Sequence, residues 1–188
     1  VNRADGFFCY RHGDPRYLHK VCRRHLQMWI RDRVEAYWTL DEFSAHTALL
    51  KDMLAGVSIV EFEEDLVRIL RNMMTAEALL AVGKGGAGKI EDLSTGDIGF
   101  LEHRIDEISE ALPPIAAFTI PGGHVIVSQT HLCRTVCRRA ERRACEAAVE
   151  NDIPMSVLRF LNRLSDYFYV LGRRLAMRLN TEEVLWVP

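Results

Sequence analysis

Two short runs of this chain hold the residues best suited to chemistry: Arg134, Arg138, Arg139, Glu141, Arg142 and Arg143, then Asn162, Arg163, Ser165 and Asp166 some twenty residues later. On a helix, positions three, four and seven or eight apart share a face, so Arg134, Arg138, Glu141 and Arg142 form one charged stripe. Val136, Ala140, Ala144 and Ala147 lie on an adjacent side that can pack. Several guanidiniums with a carboxylate to orient them, or to approach a metal, suit a polyanion such as a phosphate chain better than a single carboxylate. If the stripe only made interhelical ion pairs it would be costly, because buried pairs seldom improve on apolar packing.

These groups need elements to position them. The apolar spacing predicts helices over 33–55, 59–81, from a cap at Ser94 or Thr95 to the stop at Pro113 and Pro114, from just beyond Gly123 to about Glu150, and from caps at Asn151 and Asp152 through Leu175. The first stripe reads Val34, Tyr37, Leu40, Ala45, Ala48, Leu49 and Met53, with Asp41 and Glu42 beside it. The second reads Phe62, Leu66, Ile69, Leu70, Met73, Ala76 and Leu80. In the fifth, Pro154 is placed in the first turn. Long helices on short links bury their stripes against one another as an antiparallel bundle, and no alternating strand pattern competes. The fold class is therefore all-α, a five-helix up-and-down bundle over 33–180. A separate segment precedes it over 1–32, and a short tail follows over 181–188.

At 188 residues and 21.5 kDa the chain suits one folded domain. Its 24 basic and 26 acidic residues leave a net charge of -2, which argues against a nucleic-acid binder and makes any anion site local. The five cysteines are an odd count without a dense framework, as expected in a reducing compartment. Cys133, Cys137 and Cys145 read as small packed thiols rather than zinc ligands, since neither CxxC nor HExxH occurs. His12, His19, Cys22 and His25 match no standard metal spacing either. There is no apolar leader and no run of eighteen apolar residues, so the chain reads as cytoplasmic, with no membrane partner.

Gly83 to Lys89 has Walker A spacing but is followed by Ile90 where that loop needs Ser or Thr, and it follows a helix rather than a strand. It reads as a glycine-rich connection between helices. A second connection, Pro113 to Gly123, has three prolines and two glycines, which set a rigid path for Phe118. That ring either closes the core or forms a wall for a flat apolar ligand.

Residues 33–43 (RVEAYWTLDEF), 118–123 (FTIPGG), 134–142 (RTVCRRAER) and 162–167 (NRLSDY), with Leu101 to Asp106 between them, together resemble the PduO-type ATP:corrinoid adenosyltransferases. The resemblance covers about residues 31–178, in order. It implies a five-helix bundle assembling as a homotrimer with active sites between subunits. The implied reaction is transfer of the 5'-deoxyadenosyl group of ATP to cob(I)alamin, giving adenosylcobalamin and triphosphate. ATP, Mg2+ and cobalamin are the small molecules implied, and a corrinoid reductase and a cobalamin-dependent enzyme are the implied protein partners. By that likeness Gly13, Asp14, Arg134, Arg138, Glu141 and Asn162 bind ATP, with Glu141 on the magnesium side. Phe118, Asp41, Asp166 and Arg163 meet cobalamin, and Arg138, Phe118 and Asp41 carry the catalytic work. Phe118 would cover the lower corrin face, and Asp41 would support Arg138 across the site.

Two departures from the family pattern stand out. The N-terminal phosphate-binding motif is matched only by Tyr10 to Tyr17, which keeps Gly13-Asp14, loses a glycine and the hydroxyls, and places Pro15 where an amide is needed. Trp38 stands where the family usually has glycine. The enzyme reading therefore has an alternative on the same bundle, a corrinoid- or nucleotide-binding protein without turnover.

Overall fold

The structure, a computed structural model, describes the backbone of residues 15–82, 90–114, 119–181 and 184–186, with side chains from residue 31 onward except 184 and 185. Among these residues the elements are α1 Pro15–Gly56, α2 Glu63–Ala81, α3 Thr95–Glu110, β1 Thr119–Ile120, α4 Val125–Ala148, α5 Met155–Arg178 and β2 Val184–Leu185. The chain is an all-α five-helix bundle. α1 packs against α2 and α4, α4 against α5, and α5 against α3.

The 42-residue α1 begins far earlier than the Arg33 expected from its stripe. Pro15 stands at its first position, where a missing N–H costs nothing and φ is already helical. The phase of α1 also differs from expectation. Its core face is Ala36, Leu40, Phe43, Thr47, Leu50 and Leu54, whereas Leu49 is 50 % exposed and Trp38 63 % exposed. α1 therefore carries two apolar stripes, and one of them is left uncovered by the described residues.

α1 ends in a left-handed turn at Ser58 (φ 58°), with Ser58 N–H donating to the Ala55 carbonyl and Ile59 N–H to that of Leu54. That reversal delays α2 to Glu63 instead of residue 59. α2 then buries Phe62, Leu66, Ile69, Met73, Ala76 and Leu80 as its spacing predicts. Ser94 caps α3 in a capping box with Asp97. The entry to α5 differs from expectation, because Pro154 is its N-cap rather than a first-turn residue. Asn151 instead closes α4, donating from Nδ2 to the Ala147 carbonyl at 2.8 Å.

The core runs through the bundle, with Phe43 of α1 edge-on to Phe168 of α5 at 5.4 Å between centroids. α2, α3 and α5 meet at Asp65, whose Oδ2 accepts from Arg104 Nε at 2.8 Å and from the Tyr167 hydroxyl at 3.1 Å. Burial, with the Asp65 charge beside it, pushes the Tyr167 phenol well above its ordinary range.

The tail folds back on the bundle. Asn180 (φ 50°) turns the chain back after α5, closed by Thr181 N–H to Ala176 and Asn180 N–H to Met177. β2 then pairs antiparallel with β1, Thr119 opposite Leu185 and Ile120 opposite Val184. Two-residue strands are too short to leave a periodic signal in a sequence.

Candidate functional site

The Arg-rich run lies on α4, whose opposite side packs as its spacing requires: Val136, Ala140, Ala144 and Ala147 are all buried. Burial pushes the Cys133 thiol up to about 12 and the Cys137 thiol well above its ordinary range. These sulfurs are core atoms, not nucleophiles. Cys137 Sγ donates to the Leu161 carbonyl at 3.3 Å, which sets the register of α4 on α5.

That register brings the two motifs together at Glu141. Arg138 Nη1 donates to Glu141 Oε2 at 2.6 Å, and Asn162 Nδ2 donates to Glu141 Oε1 at 2.9 Å. The Glu141 side chain is only 15 % exposed and the Arg138 side chain 47 %, so a held carboxylate orients a guanidinium that reaches solvent. Arg134, one turn earlier, has its Nε buried with no hydrogen-bond partner among the described residues. A buried, unpartnered guanidinium nitrogen costs stability unless a ligand satisfies it. Arg142, one turn later, is exposed and makes no ion pair among the described residues, whereas Arg139 pairs with Glu42 and Arg143 with Glu146.

Arg163 and Asp166 form a neighbouring but separate pair. Arg163 Nη1 donates to Asp166 Oδ2 at 3.2 Å, and Arg163 Nε lies 3.6 Å from Glu102 Oε1 of α3. No ion pair joins Asp41 to Arg138 among the described residues. The Asp41 charge adds to the effect of burial in raising the Glu77 carboxyl of α2, while Arg138 pairs with Glu141 on its own helix. The α1–α4 ion pair is made by the next residues, Glu42 and Arg139, at 2.5 Å. Gly13, Asp14, Phe118 and the Gly83–Lys89 run lie outside the described residues, as do His12 and the side chains of His19, Cys22 and His25. Thr119 and Ile120, directly after Phe118, line a small pocket with Val127, His131, Gly172 and Ala176.

Magnesium favours octahedral oxygen sites made from one or two carboxylates plus substrate phosphates. The described residues contain no cluster of three or more His, Cys, Asp or Glu able to cage a metal. Glu141 fits the lesser role of a single carboxylate beside a phosphate-bound ion. Sequence reasoning missed three further contacts: the Asp65–Arg104–Tyr167 tie, the Arg173 bond to Pro113, and the bond at 2.9 Å from Gln129 Nε2 to the His46 carbonyl. Each joins elements distant in sequence, and no spacing within one helix signals it.

The family model for cobalamin adenosyltransferase matches residues 30–175, which includes α2 to α4, most of α5, and Asp41, Arg134, Arg138, Glu141, Asn162, Arg163 and Asp166. The chain belongs to the cobalamin adenosyltransferase family. Among this family's proteins, Corrinoid adenosyltransferase MMAB of Bos taurus is 35 % identical over 156 residues, 81 % of this chain and 64 % of the bovine protein. A Corrinoid adenosyltransferase of Bacillus subtilis is 35 % identical over 142 residues, 75 % of this chain and 72 % of that protein. The chain spans 62–65 % of the length of the mammalian relatives it matches. Its fold matches a phenylalanine-to-alanine variant of the PduO-type ATP:corrinoid adenosyltransferase from Lactobacillus reuteri, complexed with cobalamin and ATP. That match has a TM-score of 0.78 at 27 % identity and covers 84 % of this chain and 87 % of the other.

Proposed function

We propose that this cobalamin adenosyltransferase family member transfers the 5'-deoxyadenosyl group of ATP to the cobalt of cob(I)alamin. The carrying observation is the α4–α5 junction, where Glu141 is held by Asn162 and aims Arg138 beside the unsatisfied Arg134 Nε. A triphosphate supplies the acceptors that this arrangement lacks.

In the reaction cob(I) is the nucleophile. A Co–C5' bond forms with the cobalt electron pair, the C5'–O bond breaks, and triphosphate leaves with that bond's electrons, so cobalt passes from the +1 to the +3 state. No protein base is needed, and the work left to the chain is orientation and charge neutralisation. Arg134, Arg138 and Asn162 bind the nucleotide phosphates, with Gly13 and Asp14 at the N-terminal side. Glu141 orients Arg138 and would be the carboxylate beside a bound magnesium ion, which would supply neutralisation of charge on the leaving triphosphate. Phe118 excludes a lower axial ligand from cobalt, and Asp41, Arg163 and Asp166 border the corrinoid.

A homotrimer fits the lack of an Asp41–Arg138 ion pair among the described residues, since a neighbouring copy can bring the two together. Leu132 and Val125, at i+3 and i−4 from Gln129, are 42 % and 64 % exposed, and Leu49, at i+3 from His46, is 50 % exposed. They flank the His46–Gln129 contact on α1 and α4, a suitable apolar surface for another copy. Sedimentation should give three copies per particle, and a monomer at micromolar concentration would remove the intersubunit site. No described helix is long and apolar enough to cross a membrane. The cytoplasm, with a corrinoid reductase upstream and a cobalamin-dependent enzyme downstream, is the setting this chemistry fits.

A second reading, binding without turnover, is favoured by one observation: Pro15 to Tyr17, part of the nearest phosphate-loop match, are already in the first turn of α1. Phe118→Ala tests the corrinoid half of the proposal. Bound cob(II)alamin with ATP should show the four-coordinate spectrum in the wild type and a five-coordinate one in the variant, at unchanged ATP affinity. Identical spectra and equal turnover would reduce Phe118 to a packing residue.

A further inference from the structure

We propose that Tyr167, through its bond to Asp65, is a positioning residue for the Glu141 junction: it fixes the rotation of α5 about its own axis and so decides where Asn162 meets Glu141. The inference rests on the phosphate-binding reading of that junction given above. Tyr167 is fully buried and Asp65 is 8 % exposed. Asp65 Oδ2 takes the Tyr167 hydroxyl at 3.1 Å and Arg104 Nε at 2.8 Å, so an anchor made on α2 and braced from α3 holds one point of α5. Burial keeps the phenol protonated and therefore a donor. A buried carboxylate with its guanidinium seldom improves stability over apolar packing. What it adds here is direction, since apolar contacts have no preferred direction and a hydrogen bond does.

The two contacts hold α5 from different sides. Tyr167 follows Asn162 by five residues, which at about 100° per residue puts it roughly 140° around the helix and about 7.5 Å along it. Asn162 reaches α4 through Glu141, and Tyr167 reaches α2 from its other face. Fixed points on two faces leave α5 one rotational setting. Side-chain atoms lie about 5–6 Å from a helix axis, so a rotation of about 10° carries the Asn162 amide by about 1 Å. That is enough to take its 2.9 Å bond to Glu141 out of range. Arg138 is then aimed by a carboxylate held through one oxygen fewer. The nearby Arg163–Glu102 pair of α5 and α3 cannot replace the anchor, because both side chains reach solvent and their atoms are 3.6 Å apart.

The test is a double-mutant cycle on the full chain with ATP, magnesium and chemically reduced cobalamin, comparing Tyr167→Phe, Asn162→Ala and the two combined with the wild type. Tyr167→Phe keeps the buried ring and removes only the donor. Its turnover should fall on the order of tenfold, the scale of a catalytic contact misplaced by part of an ångström. In the Asn162→Ala background the same substitution should change turnover by less than about twofold, since the contact it acts through is already gone. Ile69→Val, a core change on α2, should keep wild-type turnover and so separates aim from stability. In the ligand-free protein, the Asn162 side-chain amide signal should shift and exchange faster with solvent in Tyr167→Phe. Equal fold-losses in both backgrounds, wild-type turnover in Tyr167→Phe, or an equal loss in Ile69→Val overturns the positioning role. Should Tyr167→Phe lose helicity, Asp65→Asn, which keeps the shape of the side chain but not its charge, is read by the same cycle. If the wild type makes no adenosylcobalamin, the functional reading fails instead, and the Asn162 amide signal alone decides: a shift upholds the tie between Tyr167 and the junction, and an unchanged signal overturns it.

Discussion

Asn162 Nδ2 donates to Glu141 Oε1 at 2.9 Å, on the same carboxylate whose other oxygen takes Arg138 Nη1 at 2.6 Å. This ties α5 to α4 through a carboxylate with both oxygens engaged, so Glu141 has one preferred orientation and passes it to Arg138. Asn162→Ala releases one oxygen. It should cost about 1 kcal/mol of stability, the scale of one hydrogen bond, measured by urea unfolding. Turnover should fall more steeply, on the order of tenfold to a hundredfold. A stability loss with full turnover would make the tie structural only.

Arg138→Lys keeps the charge but loses the planar fork that can hold Glu141 and a phosphate together. Its pair with Glu141 is an i,i+3 contact of a half-exposed side chain, so stability should change by less than about 1 kcal/mol. Turnover should drop by at least roughly a hundredfold, the scale of a lost transition-state contact. Circular dichroism and a product assay on one preparation check both halves, and wild-type turnover would return Arg138 to the solvated surface.

Arg134 separates binding from folding. Its buried Nε lacks a hydrogen-bond partner among the described residues, and such a group costs about 1–3 kcal/mol. Arg134→Met should therefore melt at the wild-type temperature or higher in the absence of ligand. Its ATP affinity should be at least about tenfold weaker, or ~1.4 kcal/mol. Thermal melts with and without ATP check this, and a destabilised variant with normal ATP binding would contradict it.

Glu77 gives a pH signature. It is 4 % exposed, and burial raises its carboxyl above the ordinary value of 4.5, opposed by the hydrogen bond from Ser44 and aided by the charge of Asp41. The folded chain thus holds this proton more tightly than the unfolded chain does. Its contribution to stability is full below the unfolded value and is lost as pH rises through the folded one. Glu77→Gln, which can still accept from Ser44, should melt above the wild type at pH 7, and the gap should close as pH falls toward 4.5. A gap that stays constant with pH would mean that Glu77 ionises as freely when folded as when unfolded.

Much of this fold was legible because α2 and α4 each present one apolar stripe and Ser94 is followed by Asp97 at capping-box spacing. α1 was read out of phase because it carries two stripes. Leu49 and Trp38 satisfy the same periodicity as Phe43 and Leu50, and only packing distinguishes the covered face from the bare one. Pro154 and Asn151 took different helix-end roles from those expected, since a proline fits N-cap and N1 alike and an asparagine can close one helix as well as open the next. The Arg138–Glu141 pair was readable from i,i+3 spacing. Its link to Asn162 required the register of α4 on α5, set by buried groups such as Cys137 and Leu161. The β1–β2 pairing depends on Asn180 adopting a positive φ, a choice its type permits but does not dictate.

The most direct measurement of the central claim is product formation: the chain incubated with ATP, magnesium and chemically reduced cobalamin, with adenosylcobalamin followed by absorbance and triphosphate measured in parallel. Adenosylcobalamin and triphosphate should appear in equal amounts and only with ATP present, and both should fall together in Arg138→Lys. Saturable cob(I)alamin binding with neither product would contradict the account and leave a corrinoid-binding protein on an adenosyltransferase bundle.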